Sequence, residues 1–421
     1  MSDWSALDRY LDDQAAERTS ASLVVVRSTG TVHRHVCGDS LRYTTVPGRP
    51  HAVELPVERR VPATAATLYD LASNTKMWAT NLALMILVDA GRLDLERPVH
   101  TVEGWSGFTA GGLEKVRIVD LLRHDAGLTA DPRYFDPRAH DPGAGLYCSG
   151  TPQHPVPRSR IIDVICRTPP QRPPGTGYLY SDLDYMILGL VVEQLTGRRL
   201  DDFLESGPYH RLGLRRTVFN PLDKGLDVEE MAATEPEGNS RGGSVDYGRA
   251  PDGSPAPIRR YTLRGQVHDE KAWYCMGGVS GHAGLFTDAD ELAVLLRLGL
   301  GEGVLDGEQI IRPATWRRFA APQGSDPAAR RASSHGLGWR VAPAEGPPYP
   351  PFGPSPTPGS IGHTGWTGTL TLVDRDKDLA IGLMTGARHR LGTEVGADRP
   401  VGYRDVVDLV YRALGERGSV M

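Results

Sequence analysis

Ser73 and Lys76 lie three positions apart, directly before a long apolar run. That run predicts a buried helix over residues 77–88, and the preceding segment, 68–72, is typical of an extended approach. Side chains three positions apart share one face of a helix, so Lys76 can reach the hydroxyl of Ser73. If Ser73 lies in the first turn, the helix N-terminus also favours negative charge beside it. The spacing therefore predicts an activated serine nucleophile, with a surface lysine at a helix start as the alternative.

Lysine is rare in this chain, which gives Lys76 more weight. Of 47 basic residues only five are lysine: Lys76, Lys115, Lys224, Lys271 and Lys377. Arginine keeps its charge in proteins and cannot act as a base, so it could not replace a catalytic lysine. A lysine kept beside a serine in an arginine-rich chain favours a chemical role for the pair.

The composition argues against several classes of partner. The 421 residues carry a formal net charge of −5 and the sequence pI is about 6.2, so no nucleic acid and no membrane partner is expected. The first apolar run, residues 23–26, is too short for a signal-peptide core, and no stretch is long enough to span a bilayer. We therefore expect a cytoplasmic location.

The pattern of elements predicts an α/β (α+β) fold in which both ends of the chain build one sheet. Strand pairs are predicted near each end, at 22–27 with 31–37 and at 369–374 with 379–385. Helices are predicted at 5–18, 118–123, 158–167, 183–195, 200–204, 289–300 and 403–416. We expect an antiparallel sheet domain formed by residues 1–70 and 331–421, with residues 71–330 as a mainly helical inserted domain.

Two proline-rich stretches interrupt this plan. Residues 129–175 contain ten prolines and residues 343–358 contain eight. Proline removes a backbone donor and fixes φ, so these stretches are expected to be loops and not sheet interior. Loops of this length serve as lids or binding loops, or they are variable surface. The sequence leaves both roles open.

Two further segments complete a set with Ser73 and Lys76. Tyr180-Ser181-Asp182 precedes an apolar helix, and His363-Thr364-Gly365 leads into a C-terminal strand. In this order and spacing the segments resemble the motifs of the serine β-lactamase and penicillin-binding protein superfamily, particularly its class C β-lactamase, D,D-peptidase and esterase branch. Those motifs are Ser-x-x-Lys, Tyr-x-Asn and Lys-Thr-Gly or His-Thr-Gly. Residues 121–128, 266–272 and 277–286 are also similar to family segments.

The resemblance implies a β-lactamase-like fold and a role for each motif residue. Ser73 would attack an acyl carbon, and Lys76, if neutral, would take the serine proton. Lysine ordinarily has a pKa of about 10.4, so this role requires its pKa to fall by about three near neutral pH. Tyr180 would relay a proton to the leaving group. The backbone N–H groups of Ser73 and Trp366 would form the oxyanion hole, with Thr364 and Gly365 beside the substrate.

Two residues depart from the family pattern. Asp182 stands where the family usually has asparagine, and an ionised carboxylate can accept from Lys76 but cannot donate to a substrate amide. It would also hold Lys76 charged, against the base role. His363 replaces the lysine that helps to hold the substrate carboxylate in β-lactamases, and histidine is only partly charged near pH 7. Both departures weaken a β-lactamase interpretation.

Other patterns suggest no cofactor and no metal. His268, Asp269, Glu270 and His282 match no helix-borne zinc pattern, so a structural hydrogen-bond network is expected there. His124 is expected to be a structural histidine. No Rossmann glycine spacing occurs. The four cysteines are widely spaced and are expected to be reduced thiols, not a disulfide framework or zinc knuckle: Cys37, Cys148, Cys166 and Cys275.

The sequence thus predicts a serine acyl-transfer enzyme that works through acyl-Ser73 on a small ester or amide. Its partners would be a small-molecule acyl donor and an acceptor, either water or an amine. Water makes the protein a hydrolase or esterase; an amine makes it a transacylase, with specialised metabolism as one setting. A D,D-carboxypeptidase or β-lactamase is an alternative. An acylated sensor or a binding-only protein is an alternative of another class.

Overall fold

The computed structural model describes residues 2–132, 134, 156–239, 258–324, 327–391 and 402–415. In these ranges the strands are β1 (Ser20–Arg27), β2 (Gly30–Leu41), β3 (Tyr43–Thr44), β4 (Val53–Glu54), β5 (Val61–Pro62), β6 (Tyr69–Asp70), β7 (Val218–Phe219), β8 (Ala233–Glu235), β9 (Leu263–Arg264), β10 (Leu285–Thr287), β11 (Val304–Leu305), β12 (Glu308–Gln309), β13 (Arg340–Val341), β14 (Ile361–Gly365), β15 (Thr369–Asp374) and β16 (Leu379–Thr385). The α-helices are α1 (Ser5–Arg18), α2 (Leu82–Asp89), α3 (Ile118–Leu122), α4 (Arg158–Arg167), α5 (Asp182–Thr196), α6 (Leu200–Glu205), α7 (Pro208–Arg211), α8 (Glu270–Tyr274), α9 (Ala289–Leu300), α10 (Pro313–Ala320), α11 (Pro327–Arg331) and α12 (Tyr403–Ala413).

Strands from both ends of the chain form one antiparallel sheet. Among the described residues it has seven strands in the order β13-β14-β15-β16-β1-β2-β5. The central strand β1 pairs with β2 on one side and with β16 on the other, so that Val24 lies opposite both Arg34 and Gly382. The predicted antiparallel sheet with flanking helices is confirmed. The predicted domain limits at 70/71 and 330/331 stay a prediction.

Two apolar cores cover the two faces of this sheet. Successive side chains of a strand point to opposite faces. Leu23 and Val25 pack with the apolar residues of α1 and α12. Val24 and Val26 belong to the larger core that contains α9 and the helical middle of the chain. Because both faces of β1 are covered, its sequence is a continuous apolar run without alternation.

The predicted helices and strand pairs occur, with ends that shift by a few residues. The helices predicted at 158–167 and 289–300 have those bounds, as do the strands at 369–374 and 379–385. Helix α5 begins one residue earlier than predicted because Ser181 caps it, its side chain accepting from the backbone N–H of Asp184. Residue 416, the last of the predicted C-terminal helix, lies outside the described residues.

The helix predicted at 77–88 starts differently from the expectation. Ser73 lies in a 3-10 turn (Ala72–Asn74), and a π-helical segment (Lys76–Asn81) separates this turn from α2. The expectation that Ser73 lies in the first turn of an α-helix was therefore wrong. Two polar side chains of the π segment bond outside it, Thr80 to the carbonyl of Gly281 (2.7 Å) and Asn81 to the carbonyl of Leu337 (3.0 Å). We attribute the wider turn to these tertiary bonds, and such turns are frequent at functional sites.

The two proline-rich stretches have different outcomes. In residues 343–358 the ring of Phe352 is buried in the core under α12, and Thr357 donates its backbone N–H to Asp374 (2.9 Å). This stretch is therefore anchored to the sheet domain. In the other stretch, residues 133 and 135–155 lie outside the described residues, and the same holds for Cys148. Among the described helices, none is both long and apolar enough to cross a membrane.

Candidate active site

The turn that carries Ser73 is held by a buried carboxylate. Asp70 accepts from the backbone N–H of Ala72 (2.8 Å) with one oxygen and from that of His268 (2.7 Å) with the other. Ala72 has φ +47°, a left-handed conformation that is unfavourable for a residue with a side chain. The backbone N–H of Leu71 donates to Leu285 of β10 (2.9 Å). These bonds fix the position of Ser73 before any substrate arrives.

Strand β14 lies directly against this turn. The hydroxyls of Thr367 and Thr369, which follow the strand, donate to the carbonyls of Asp70 (2.6 Å) and Leu71 (3.0 Å). Gly365 permits the close approach, since a Cβ there would lie 2.4 Å from the carbonyl oxygen of Leu71. The backbone of residues 365–366 is thereby brought beside the nucleophile turn, where the resemblance expects half of the oxyanion hole.

The structure brings together the three residues expected to be catalytic. The oxygen of Ser73 accepts from Lys76 Nζ at 2.8 Å and from the hydroxyl of Tyr180 at 2.9 Å. Lys76 Nζ also donates to Asp182 at 2.9 Å and to the carbonyl of His282 at 3.3 Å. The side chain of Lys76 is fully buried, so its ammonium is held entirely by protein groups.

The electrostatics oppose a neutral Lys76. Burial lowers the pKa of Lys76, but Asp182 and Tyr180 outweigh burial and leave the pKa above its ordinary value. The hypothesis that Lys76 rests as a neutral base is therefore not supported, and Asp182 holds it charged as its position suggested. An ammonium donates to Ser73 but cannot take its proton. Tyr180 is the other group in contact with the Ser73 oxygen.

A second lysine shares Asp182 with Lys76. Lys271 Nζ lies 3.4 Å from Asp182, 2.9 Å from Asp269 and 2.6 Å from Asp131. Burial lowers the pKa of Lys271, but these carboxylates raise it well above the ordinary range. Burial alone would raise the pKa of Asp182, but Lys76, Lys271 and His282 lower it below the ordinary value. Asp182 is thus an anion between two cations.

Among the residues considered for metal binding, Asp269 and His282 form a hydrogen-bond network, whereas His268 bonds elsewhere. His282 bonds Asp269 (2.9 Å) and Ser280 (2.7 Å) through its two ring nitrogens. His268 turns away and bonds Glu235 (2.9 Å). Ligand atoms of Asp182, Asp269 and His282 come within 4.8 Å of one another. The ammonium of Lys271 already contacts both of these aspartates, so a cation is in place there without a metal.

His363 cannot supply the positive charge that the family's lysine supplies. Its Nδ1 donates to the carbonyl of Thr364 (2.6 Å), and its Nε2 is buried. Burial, Arg340 and Lys76 together hold the pKa of His363 well below its ordinary value. His363 is therefore a neutral imidazole beside Tyr180, with ring centroids 6.0 Å apart. Thr364, the next residue of β14, is half-buried.

Arg340 places a positive charge near the site that sequence reasoning missed. Its guanidinium lies over the rings of Tyr178 (5.1 Å), Tyr180 (5.4 Å) and Tyr349 (5.2 Å). In the described part of the chain it forms no ion pair with a carboxylate. Arg340 lies in edge strand β13 opposite Gly362, next to His363. No motif marks it, because its place depends on strand pairing and not on sequence spacing.

An open cleft lies in front of the nucleophile. It encloses about 740 Å³, part of it open to solvent, and Trp366 covers one side with 49% of its surface exposed. Arg388 stacks on the outer ring face of Trp366 at 3.7 Å. The opposite side is acidic and polar; the cleft is lined by Ala72, Ser73, Asp131, Tyr180, Asp182, His268, Asp269, Glu270, Lys271, His282, Ala283 and Trp366.

His124 supports the tyrosine of the site and does not contact Ser73. Its Nδ1 is 2.7 Å from Asp184 and 3.3 Å from the backbone N–H of Ser181. The ring is buried and lies 4.8 Å from the ring of Tyr180. Burial, Lys76 and Arg340 lower the pKa of His124 well below its ordinary value. These contacts describe a neutral positioning histidine.

Comparison with known proteins agrees with this geometry. The family model described as Beta-lactamase matches residues 7–401. The chain belongs to the β-lactamase family. A provisionally named D-alanyl-D-alanine carboxypeptidase of Escherichia coli (strain K12) is 37% identical over 425 residues, covering 98% of this chain and 90% of that protein. The predicted membership in the serine β-lactamase and penicillin-binding protein superfamily is thereby confirmed, and the chain is a serine hydrolase of that superfamily.

Solved structures share the fold of this β-lactamase family member at low identity. EstCE1, a hydrolase with promiscuous acyltransferase activity, gives a TM-score of 0.64 at 20% identity and covers 96% of both chains. The D-amino acid amidase of Ochrobactrum anthropi SV3 gives 0.65 at 18% identity, covering 97% of this chain and 98% of that one. At these identities the likeness establishes the fold and carries no substrate.

A glycine substitution tests the close approach of β14. In Gly365→Ala the new Cβ would meet the Leu71 carbonyl, so the strand or the nucleophile turn must move. Such overpacking lowers the free energy of unfolding by about 1–3 kcal/mol, and a displaced nucleophile loses about a hundredfold in acylation rate. Urea unfolding and turnover of a p-nitrophenyl ester measure both. Gly107→Ala, whose Cβ would come no closer than 3.4 Å to Cys166, is the matched control. Equal behaviour of the two variants would contradict the argument.

The charge state of Lys76 predicts how Asp182→Asn changes the pH profile. Without the carboxylate, burial has more weight and the pKa of Lys76 falls. If the ammonium is the working form, the alkaline loss of kcat/KM therefore moves to lower pH. Asp13→Asn on the exposed side of α1 serves as the control. If Asp182→Asn instead gained activity at low pH, Lys76 would be a neutral base, and an unchanged profile would remove Asp182 from the mechanism.

Proposed function

We propose that this protein hydrolyses a small ester or amide through an acyl-Ser73 intermediate. One observation carries the proposal: the Ser73 oxygen is held at 2.8 Å from Lys76 and 2.9 Å from Tyr180 at the base of an open cleft. A serine between two proton-bearing groups, in a site fixed by surrounding bonds, is the arrangement of an activated nucleophile.

Each step has an assigned proton acceptor or donor. As the serine oxygen attacks the acyl carbon, the proton of Ser73 passes to the oxygen of Tyr180, and the hydroxyl proton of Tyr180 passes to the leaving group. Water reverses the sequence: its proton goes to Tyr180, its oxygen attacks the acyl group, and Ser73 leaves with the proton from Tyr180. The Lys76 ammonium, 2.8 Å from the Ser73 oxygen, stabilises the negative charge that develops on this oxygen during the transfer. This assignment reverses the base role first expected for Lys76.

The oxyanion that forms on the substrate needs its own donors. The backbone N–H groups of Ser73 and Trp366 are proposed for this role, in line with the resemblance. The contact of β14 with the nucleophile turn supports the proposal. One such donor contributes about 3–4 kcal/mol to lowering the barrier. Trp366 also lines the cleft, and about half of its surface is exposed. In this proposal its side chain forms the solvent-facing wall of the site that holds the acyl group.

In this proposal the acceptor of the acyl group is water. If an amine were the acceptor instead, the protein would be a transacylase. The acidic side of the cleft, with Asp131, Asp269 and Glu270, suits a cationic or amine-bearing acceptor. The structural neighbour EstCE1, a hydrolase with promiscuous acyltransferase activity, supports this variant of the proposal. Partners would be these small molecules, without nucleic acid or membrane. A cytoplasmic location belongs to the same proposal, and cell fractionation tests it.

A D,D-carboxypeptidase is the second candidate, and Arg340 favours it. Such an enzyme must bind the free carboxylate at the end of a peptide, and neutral His363 cannot do so. Arg340 lies over the Tyr180 ring without a carboxylate partner in the described residues, and arginine binds carboxylates in a two-pronged manner. The name of the Escherichia coli relative points the same way.

Intact-protein mass spectrometry with an activated acyl ester tests the first proposal. Wild type should gain one acyl mass that decays with time, and Ser73→Ala should gain none. An added amine that speeds the decay and yields the amide would indicate transacylation. A stable adduct would favour a sensor. Ser280→Ala, with its hydroxyl on His282, is the matched control and should still be acylated. An adduct of equal size on Ser73→Ala would refute the acyl-Ser73 assignment.

Substitution of Arg340 tests the second candidate. Arg340→Gln should raise KM at least about tenfold for a substrate ending in a carboxylate, because a hydrogen bond to a charged group contributes about 1.5–3 kcal/mol. The same substrate with its carboxylate amidated should be turned over equally by both proteins. Arg215→Gln, which replaces an exposed arginine that does not line the cleft, is the control. Equal KM values for the acid on wild type and Arg340→Gln would exclude Arg340 as the carboxylate anchor.

A further inference from the structure

A row of metal-binding side-chain types lies on β2, outside the active site. His33, His35 and Cys37 alternate along this strand, so their side chains share one face of the sheet. Their cross-strand neighbours on β1 are Val25, Leu23 and Ala21, which pack on the side of α1 and α12. The row therefore faces α1 and not the larger core on the other face of the sheet.

Helix α1 presents two carboxylates to this row. Asp8 and Asp12 are four positions apart and share one helical face. Asp12 lies 2.8 Å from Nε2 of His35, and Asp8 lies 2.7 Å from Nε2 of His33 and 3.6 Å from Nδ1 of His35. No lysine or arginine pairs with either aspartate in the described part of the chain. Among the described side chains, the imidazoles of His33 and His35 lie within ion-pair distance of these carboxylates.

We propose that Asp12, His35 and Cys37 bind a divalent transition-metal ion of the zinc type. One ligand atom from each residue lies within 4.8 Å of the other two, close enough to converge on one ion after small side-chain rotations. Carboxylate oxygen, imidazole nitrogen and thiolate sulfur together are the ligand set that zinc prefers. The thiol proton of Cys37 leaves to solvent as the metal–sulfur bond forms. Water completes the coordination.

The second nitrogen of His35 supports the assignment. Metal-binding histidines usually donate their other N–H to a carboxylate, which fixes the ring and raises its basicity. With Nε2 of His35 toward Asp12, its Nδ1 faces Asp8. The residues are accessible, since the side chain of Asp12 is 56% exposed and that of His35 is 21% exposed. The group formed by Asp182, Asp269 and His282 differs, because lysine ammonium groups already neutralise it.

Cobalt titration of the full chain, first dialysed against EDTA, tests the proposal. Cobalt bound to a thiolate gives a near-ultraviolet charge-transfer band, which the sulfur-free active-site group cannot produce. Wild type and Ser73→Ala should bind one equivalent with this band, and zinc should displace the cobalt. Cys37→Ser should lose the band, whereas Cys166→Ser should keep it. Asp8→Asn should weaken binding about 10–100-fold.

A further variant and two further measurements keep the test decisive if Cys37→Ser folds poorly. Asp12→Asn leaves the sulfur in place and should still lose most of the affinity. Zinc should raise the unfolding temperature of wild type but not of Asp12→Asn, and EDTA should leave ester turnover unchanged, because the site is apart from Ser73. Absence of a stoichiometric band in wild type, or a band of equal strength in Cys37→Ser, would overturn the proposal and leave the cluster as hydrogen bonds only.

Discussion

The ion pair between the buried Lys76 and Asp182, which lines the cleft, is the interaction on which the active site depends. Two charges taken out of water are costly, and removal of one partner from such a pair costs about 3–5 kcal/mol. Lys76 is fully buried and its ammonium is bound by Ser73, Asp182 and the carbonyl of His282. The lowered pKa of Asp182 makes the pair stabilising above the ordinary aspartate pKa, and this contribution is lost as pH falls. The raised pKa of Lys76 has the opposite sign, so its contribution is lost only at high pH.

The surrounding structure keeps that pair charged and its neighbours neutral. Lys271 supplies a second cation to Asp182 and ties it to Asp269, which caps α8. On the other side, burial and nearby cations keep His124 and His363 uncharged next to Tyr180. The site thus has charge on the side of Lys76 and neutral imidazoles on the side of the tyrosine. Arg340 adds the positive charge that His363 lacks, but from a neighbouring strand.

Much of this arrangement could be predicted from the sequence. Spacing linked Ser73 to Lys76 and placed Tyr180 and Asp182 before a helix, and apolar runs on either side of turn residues indicated both strand pairs of the sheet. The unpredicted features depend on distant contacts. The π-helical start after Ser73 follows from bonds of Thr80 and Asn81 to other segments, which no local pattern contains. The place of Arg340 follows from the pairing of β13 with β14. The charge state of Lys76 depends on how closely Asp182 approaches it, because burial and the carboxylate act in opposite directions.

The protonation state of Lys76 is the most direct test of this account. With only five lysines in the chain, carbon-13 labelling at Cε gives a spectrum in which the Lys76 signal is identified by its absence in Lys76→Met. The account predicts that this signal keeps the chemical shift of an ammonium from neutral pH past the ordinary lysine pKa of about 10.4. Titration of Lys76 near neutral pH would contradict it and would return the role of base to the lysine.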